Sequence, residues 1–167
     1  TGTLLTEWPA DLSERIQAAR RMALDLETCG AGKGDGLNPW RGEIRLLQLR
    51  MAEETPLLID VRAAGEPPAE VRNVLQAAEI IGHNLAFDTL WLRVKWGLQF
   101  SKVFCTLTAS RLLHAGDRSV RHDLNSVLER HLQIASTGDK ASMQRADWGG
   151  FLLPDMLAYA SRDVLHL

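Results

Sequence analysis

Residues 22–30 read MALDLETCG, and the alternation of side chains in this stretch decides the fold. Leu24 and Leu26 alternate with Asp25 and Glu27. Strand side chains point to opposite faces with period two, so the leucines share one face and the two carboxylates the other. Carboxylates in an apolar strand are costly unless paired or bound to metal. Two more acids follow where strand and helix patterns end or begin. Asp88 closes NLAFD after Asn84, and Asp163 stands four residues after Tyr159 in YASRD. Four carboxylates converging on one point repel one another, and divalent cations relieve that repulsion. The pattern suggests two-metal phosphodiester chemistry.

Outward from this strand, WPADLSERIQAARR (8–21) reads as an amphipathic helix, with Leu12, Ile16 and Ala19 at helical spacing. EIRLLQLRMAE (43–53) and TPLLIDV (55–61) read as two strands, joined by a tight hairpin at Glu54 and Thr55. A helix is expected over 67–79, a short strand over 79–84, and a helix over 85–97 ended by Gly97. VFCT (103–106) reads as a strand leading into helix LTASRLLHAG. Two more helices are expected over 122–134 and 154–167, the last with Pro154 at its start. Strands in one run, then alternating helix and strand, imply an α/β fold with a mixed sheet flanked by helices.

The bulk numbers narrow the class. A chain of 167 residues suits one domain with a proper core, here taken as 1–167. The formal net charge of −2 counts against a protein that wraps duplex, but not against an enzyme gripping one strand end. No apolar run approaches membrane-spanning length and no signal-like segment opens the chain, so no membrane partner is expected. Cys29 and Cys105 fit a reducing cytoplasm better than a disulfide framework. The chain starts at Thr1 and stops four residues past Asp163, which reads as a domain excised from a longer protein.

These motifs resemble the DEDD 3′–5′ exonucleases, in the branch whose third motif is Tyr-x-x-x-Asp. That branch includes ribonuclease D and the proofreading domain of family A DNA polymerases. The resemblance runs from about Arg21 to the end and takes in NPWRGEIRLLQL (38–49), CTLTASRLLHAG (105–116) and DKASMQRADWG (139–149). It implies a ribonuclease H-like sheet and two divalent cations, Mg²⁺ or Mn²⁺. Asp25 is expected to bridge them. Glu27 and Asp163 then complete the nucleophile-side metal and Asp88 the other, as the resemblance also implies. Tyr159 and Asp163 lie one helical turn apart and face the same way, so the phenol is expected to orient the attacking water.

Other candidates surround these five. Asn84 either hydrogen-bonds the scissile nucleotide or caps helix 85–97, and Phe87 either builds the nucleotide pocket or packs in the core. Thr28 follows Glu27 and is a candidate contact for the 3′ end. The loop CGAGKGDGLNP (29–39) has the wrong glycine register for a dinucleotide fold and no Lys-Ser or Lys-Thr pair for a phosphate loop. It reads as a flexible loop, and Leu37 in it is a candidate for the leucine that relatives wedge at the terminal base. Trp40 and Trp148 read as turn or core residues rather than base-stacking ones. Arg41, Arg45, Lys140 and Arg145 are the candidate phosphate contacts. The five histidines show no metal-ligand spacing and read as solvated, with His83 beside the second motif set apart.

The expected function is metal-dependent 3′–5′ exonucleolysis of single-stranded nucleic acid, releasing nucleoside 5′-monophosphates. CTLTASRLLHAG and Gln144–Trp148 look closer to polymerase-associated domains, which favours DNA over RNA and a polymerase or other domain in the same parent chain. The alternatives are a ribonuclease D-like exoribonuclease and an inactive binding module. The intact acids argue against the second.

Overall fold

The computed structural model describes residues 2–135, 143 and 146–167. Strand β1 (Thr3–Leu5) is followed by helix α1 (Leu12–Ala19), β2 (Arg21–Cys29), β3 (Glu43–Arg50) and β4 (Leu57–Asp60). Next come α2 (Val61–Ala64), α3 (Ala69–Ala77), β5 (Glu79–Gly82), α4 (Leu85–Trp96) and β6 (Val103–Cys105). Three helices close the described chain: α5 (Thr106–Leu113), α6 (Leu124–Leu132) and α7 (Pro154–Leu165). The six strands form one mixed sheet in the order β1-β4-β3-β2-β5-β6. β2 pairs antiparallel with β3 and parallel with β5, so the acidic strand lies in the middle of the sheet.

Both faces of the sheet are covered, as the leucine–acid alternation of β2 requires. Met22, Leu24 and Leu26 join the larger core with Leu12 and Ile16 of α1, Val71 and Leu75 of α3, and Leu85 and Trp91 of α4. The opposite face carries a smaller core of Cys29, Leu46, Leu58 and Trp148 with Met156 and Ala160 of α7. Asp25 and Glu27 face that side. The register places Asp25 opposite Gln48 and Glu27 opposite Leu46, then slips so that Thr28 pairs with Ile44. Arg45 is therefore the extra residue of a bulge, the kind of irregularity that re-aims side chains beside a site.

Helix ends follow local chemistry. Gly97 ends α4 at φ 70°, a left-handed conformation that costs glycine nothing. The Asp123 side chain caps α6 by accepting from the amide of Ser126 at 3.3 Å. The expected hairpin at Glu54 and Thr55 is instead a six-residue connection, Met51–Pro56, with Ala52 at φ 45° and Arg50 Nε donating to the carbonyl of Glu54 at 3.1 Å. The Gly-rich segment is organised rather than loose. Asp35 is only 7% exposed, accepts from the amide of Gly32 at 2.8 Å and pairs with Arg41 Nε at 2.9 Å. A side chain on Gly30 would stand 2.3 Å from Asp35 Cβ, so glycine is required there by space. No described helix is long and apolar enough to cross a membrane.

Candidate active site

Three carboxylates from two elements meet at the floor of a cleft of about 610 Å³. One oxygen each of Asp25, Glu27 and Asp163 lies within 4.8 Å of the others, and all three residues are half-buried. β2 supplies the first two on its α7-facing side. α7 brings Asp163 down on them, and Tyr159 with it. Asp88, in the first turn of α4, is 2% exposed; its charge acts on Asp25, but it stands outside the 4.8 Å group and does not line the cleft.

Burial and mutual repulsion set the charge state. Burial, then the charges of Asp88, Asp163 and Glu27, push the Asp25 carboxyl well above the usual carboxylate range. Glu27 is raised for the same reasons, burial first and then Asp163 and Asp88. Burial lifts Asp88 to about 7, against the opposing pull of its own backbone amide and that of Leu26. Left alone, this constellation cannot hold all its negative charge. Its donors are all carboxylate oxygens, the set that suits a hard divalent cation, so the residues present fit such ions.

The cleft walls hold the remaining candidates. Asn84 lines the cleft at φ 67°, a left-handed conformation that asparagine tolerates. Its side chain makes no cap bond to α4, so of its two readings the cap is not seen. Phe87 packs against Trp91, with ring centroids 6.0 Å apart, and belongs to the core rather than the cleft lining. Thr28 Oγ1 donates to the carbonyl of Gly36, which ties it to the Gly-rich turn. Leu37 is 77% exposed on that turn and does not line the cleft, because Asp35 folds the segment back on β2. Arg45 is buried in an ion pair with Asp60 and is not available to phosphate, and Arg41 is engaged by Asp35. Trp148 is buried and donates to the carbonyl of Met143 at 3.1 Å, while Trp40 is exposed. Lys140, Gln144 and Arg145 lie outside the described residues.

Sequence reading missed one wall. Arg111 of α5 and His122 and Asn125 around the start of α6 also line the cleft. His122 is half-buried and bonded to Ser110, not solvated. His83 lines the cleft too, with Nδ1 2.9 Å from Thr106 Oγ1. A signal was present in RHDLNSVL, where a histidine stands directly before the cap of a helix, but only the packing of α5 on α6 turns it toward the acids.

An α/β sheet with a carboxylate cluster at the floor of an open cleft is a framework suited to divalent-cation chemistry. Residues 6–167 match the model of the 3′–5′ exonuclease family found in DNA polymerases of type A, and the chain belongs to that family. It is a 3′–5′ exonuclease domain. DNA polymerase I of Aquifex aeolicus is 33% identical over 155 residues, covering 92% of this chain and 23% of the polymerase. The chain thus spans about a quarter of the length of that relative. Brucella melitensis NrnC bound to pGG superposes with a TM-score of 0.79 at 25% identity, over 100% of this chain and 77% of NrnC. Escherichia coli RNase D shares the fold, with a TM-score of 0.76 at 19% identity over 99% of this chain and 42% of RNase D.

Proposed function

We propose that this domain removes nucleotides from the 3′ end of single-stranded DNA, releasing nucleoside 5′-monophosphates. The observation that carries the reading is the convergence of Asp25, Glu27 and Asp163 oxygens within 4.8 Å at the floor of a cleft. Asp25 shares the 4.8 Å group with Glu27 and Asp163 and also feels the charge of Asp88, so it is the residue that would bridge two divalent cations, Mg²⁺ or Mn²⁺. Glu27 and Asp163 would hold one and Asp88 the other. Such ions supply charge neutralisation and a lowered pKa for the attacking water. Tyr159 keeps its proton beside Asp163, and its hydroxyl is placed to position that water. Asn84 offers an amide to the terminal nucleotide from the opposite lip.

The 33% identity to a DNA polymerase I supports DNA as substrate and a place within a larger chain. Cys29 and Cys105 are both unpaired, which fits a reducing cytoplasm. NrnC bound to pGG favours a second reading, in which the substrate is a short oligonucleotide. Matched DNA and RNA strands of several lengths, 5′-labelled and incubated with Mg²⁺, Mn²⁺ or EDTA, separate these readings. Faster stepwise shortening of DNA is expected. Markedly faster RNA digestion would transfer the assignment to an exoribonuclease, and rates that rise as strands shorten to dinucleotides would favour the second reading.

A further inference from the structure

The α5–α6 wall carries polar groups that the chemistry above leaves unused. Arg111 lines the cleft from the last turn of α5, and no hydrogen bond or ion pair to a described residue engages its guanidinium. His122 lines the same wall just before the cap of α6. Its Nδ1 lies 2.9 Å from Ser110 Oγ. Ser110 is 2% exposed and also receives Arg130 Nη1 at 3.4 Å, while Arg130 Nη2 donates to the carbonyl of Arg121.

Proton bookkeeping fixes what His122 presents. A guanidinium only donates, so Ser110 accepts from Arg130 and directs its own proton to His122 Nδ1. The neutral ring then carries its hydrogen on Nε2. A charged ring would also present Nε2–H. In both states the nitrogen not held by Ser110 is a donor available to the cleft. A cation and a donor therefore line the same cleft as the carboxylates, beside Asp123, whose charge is engaged by the cap of α6 and by Arg121. A strand whose scissile linkage lies against Asp25, Glu27 and Asp163 brings a second phosphate with it. The acidic floor repels that phosphate, and complementary charge on the α5–α6 wall receives it.

We propose that Arg111 and His122 form a phosphate subsite that binds the linkage one step 5′ of the scissile one, with Ser110 and Arg130 as positioning residues for His122. The proposal rests on the 3′–5′ exonuclease reading and adds to it a determinant of substrate grip. Charge-assisted hydrogen bonds to phosphate are the stronger kind, so losing Arg111 should raise KM about ten- to a hundredfold.

The test uses single strands in which that one linkage is an uncharged methylphosphonate. The wild-type domain should show a raised KM on the modified strand. Arg111→Ala should show a raised KM on the normal strand, with the loss on KM rather than kcat, and little further loss on the modified one. His122→Gln keeps an N–H near the place of Nε2 and should retain most of the grip that His122→Ala loses, while Ser110→Ala should follow His122→Ala. Dinucleotides with and without a 5′-phosphate form a second arm. Sensitivity to Arg111→Ala on longer strands assigns the subsite to an internal linkage, and sensitivity only on 5′-phosphorylated dinucleotides assigns it to a terminal phosphate. Binding of the same strands in Ca²⁺, read by fluorescence anisotropy, repeats the comparison without relying on turnover. A wild-type domain that discriminates in binding yet never shortens a strand keeps the subsite and overturns the exonuclease reading. If wild type and Arg111→Ala lose the same factor on the methylphosphonate strand, the subsite is wrong.

Discussion

Tyr159 stands one helical turn before Asp163 on α7, close enough for the Asp163 carboxylate to act on its phenol. Burial, then the charges of Asp163 and Glu27, push the phenol up, so it remains a neutral donor throughout the working pH range. On the proposed reading the pair shares a face of the helix but divides two tasks: the aspartate contributes charge, the tyrosine orientation. Tyr159→Phe keeps the ring and removes only the hydroxyl. Its turnover is expected to fall about ten- to a thousandfold with Mn²⁺ affinity unchanged. Asp163→Asn should instead weaken Mn²⁺ binding and shift the Mn²⁺ dependence of turnover to higher concentration. Titrating turnover against Mn²⁺ for both variants checks this, and a Tyr159→Phe protein matching wild type at every concentration would leave the tyrosine a packing residue only.

Stability of the metal-free domain should depend on pH in an unusual direction. Asp25, Glu27 and Asp88 all have folded pKa values raised above their unfolded ones, Asp88 from 3.8 to about 7. A raised acid contributes stability that is fully present below its unfolded pKa and is lost as pH rises through its folded pKa. In EDTA, the melting temperature should therefore fall between about pH 4 and pH 7 on account of Asp88. Mn²⁺ should restore it, and more strongly at the higher pH, because cation binding releases protons. Melting curves across that range, with and without Mn²⁺, provide the measurement.

The direction of attack is a separate expectation. On the proposed reading the 3′-hydroxyl terminus lies over the acidic floor, so a 3′-phosphate adds charge where it is least tolerated. Strands ending in 3′-phosphate should be digested far more slowly than 3′-hydroxyl strands, and closed single-stranded circles should resist. Gel analysis of both substrates in Mg²⁺ decides the point, since cutting of circles at a comparable rate is endonuclease behaviour.

Much of this was legible in the sequence because β2 carries its information locally. The alternation of Leu24, Asp25, Leu26 and Glu27 alone assigns faces, and Gly97 and Pro154 mark helix ends through backbone preferences. Other features depend on distant neighbours. β1 is only three residues long and exists by pairing with β4, with Thr3 opposite Leu57. Arg45 reads as a surface cation until the bulge in β3 turns it onto Asp60. The Gly-rich turn reads as loose because nothing in CGAGKGDGLNP reveals that Asp35 will be buried by its own glycines and Arg41. Arg111 and His122 come to line the same cleft as the acids only once α5 and α6 pack side by side.

The Arg45–Asp60 ion pair has a consequence for stability that can be measured. Their side chains are 7% and 14% exposed, and Asp60 also accepts from the amide of Ala63 at 3.2 Å to cap α2. Arg45→Ala leaves a largely buried carboxylate without its partner and should cost about 3 kcal/mol of stability. Chemical denaturation measures that loss. Below the melting transition its KM for single strands should match wild type, whereas a raised KM would return Arg45 to the list of phosphate contacts.

Asp25, in company with Glu27, Asp88 and Asp163, is proposed to make this cleft a metal-dependent 3′-end hydrolase. The most direct measurement follows a 5′-labelled single strand over time with wild type and Asp25→Ala, each in Mg²⁺ and in EDTA. Wild type in Mg²⁺ should produce a ladder that shortens one nucleotide at a time from the 3′ end. EDTA, and Asp25→Ala under either condition, should leave the strand intact, while Asp25→Ala remains folded and no less stable without metal because a repelling charge is gone. Substantial shortening by Asp25→Ala in Mg²⁺, or by wild type in EDTA, would contradict the account.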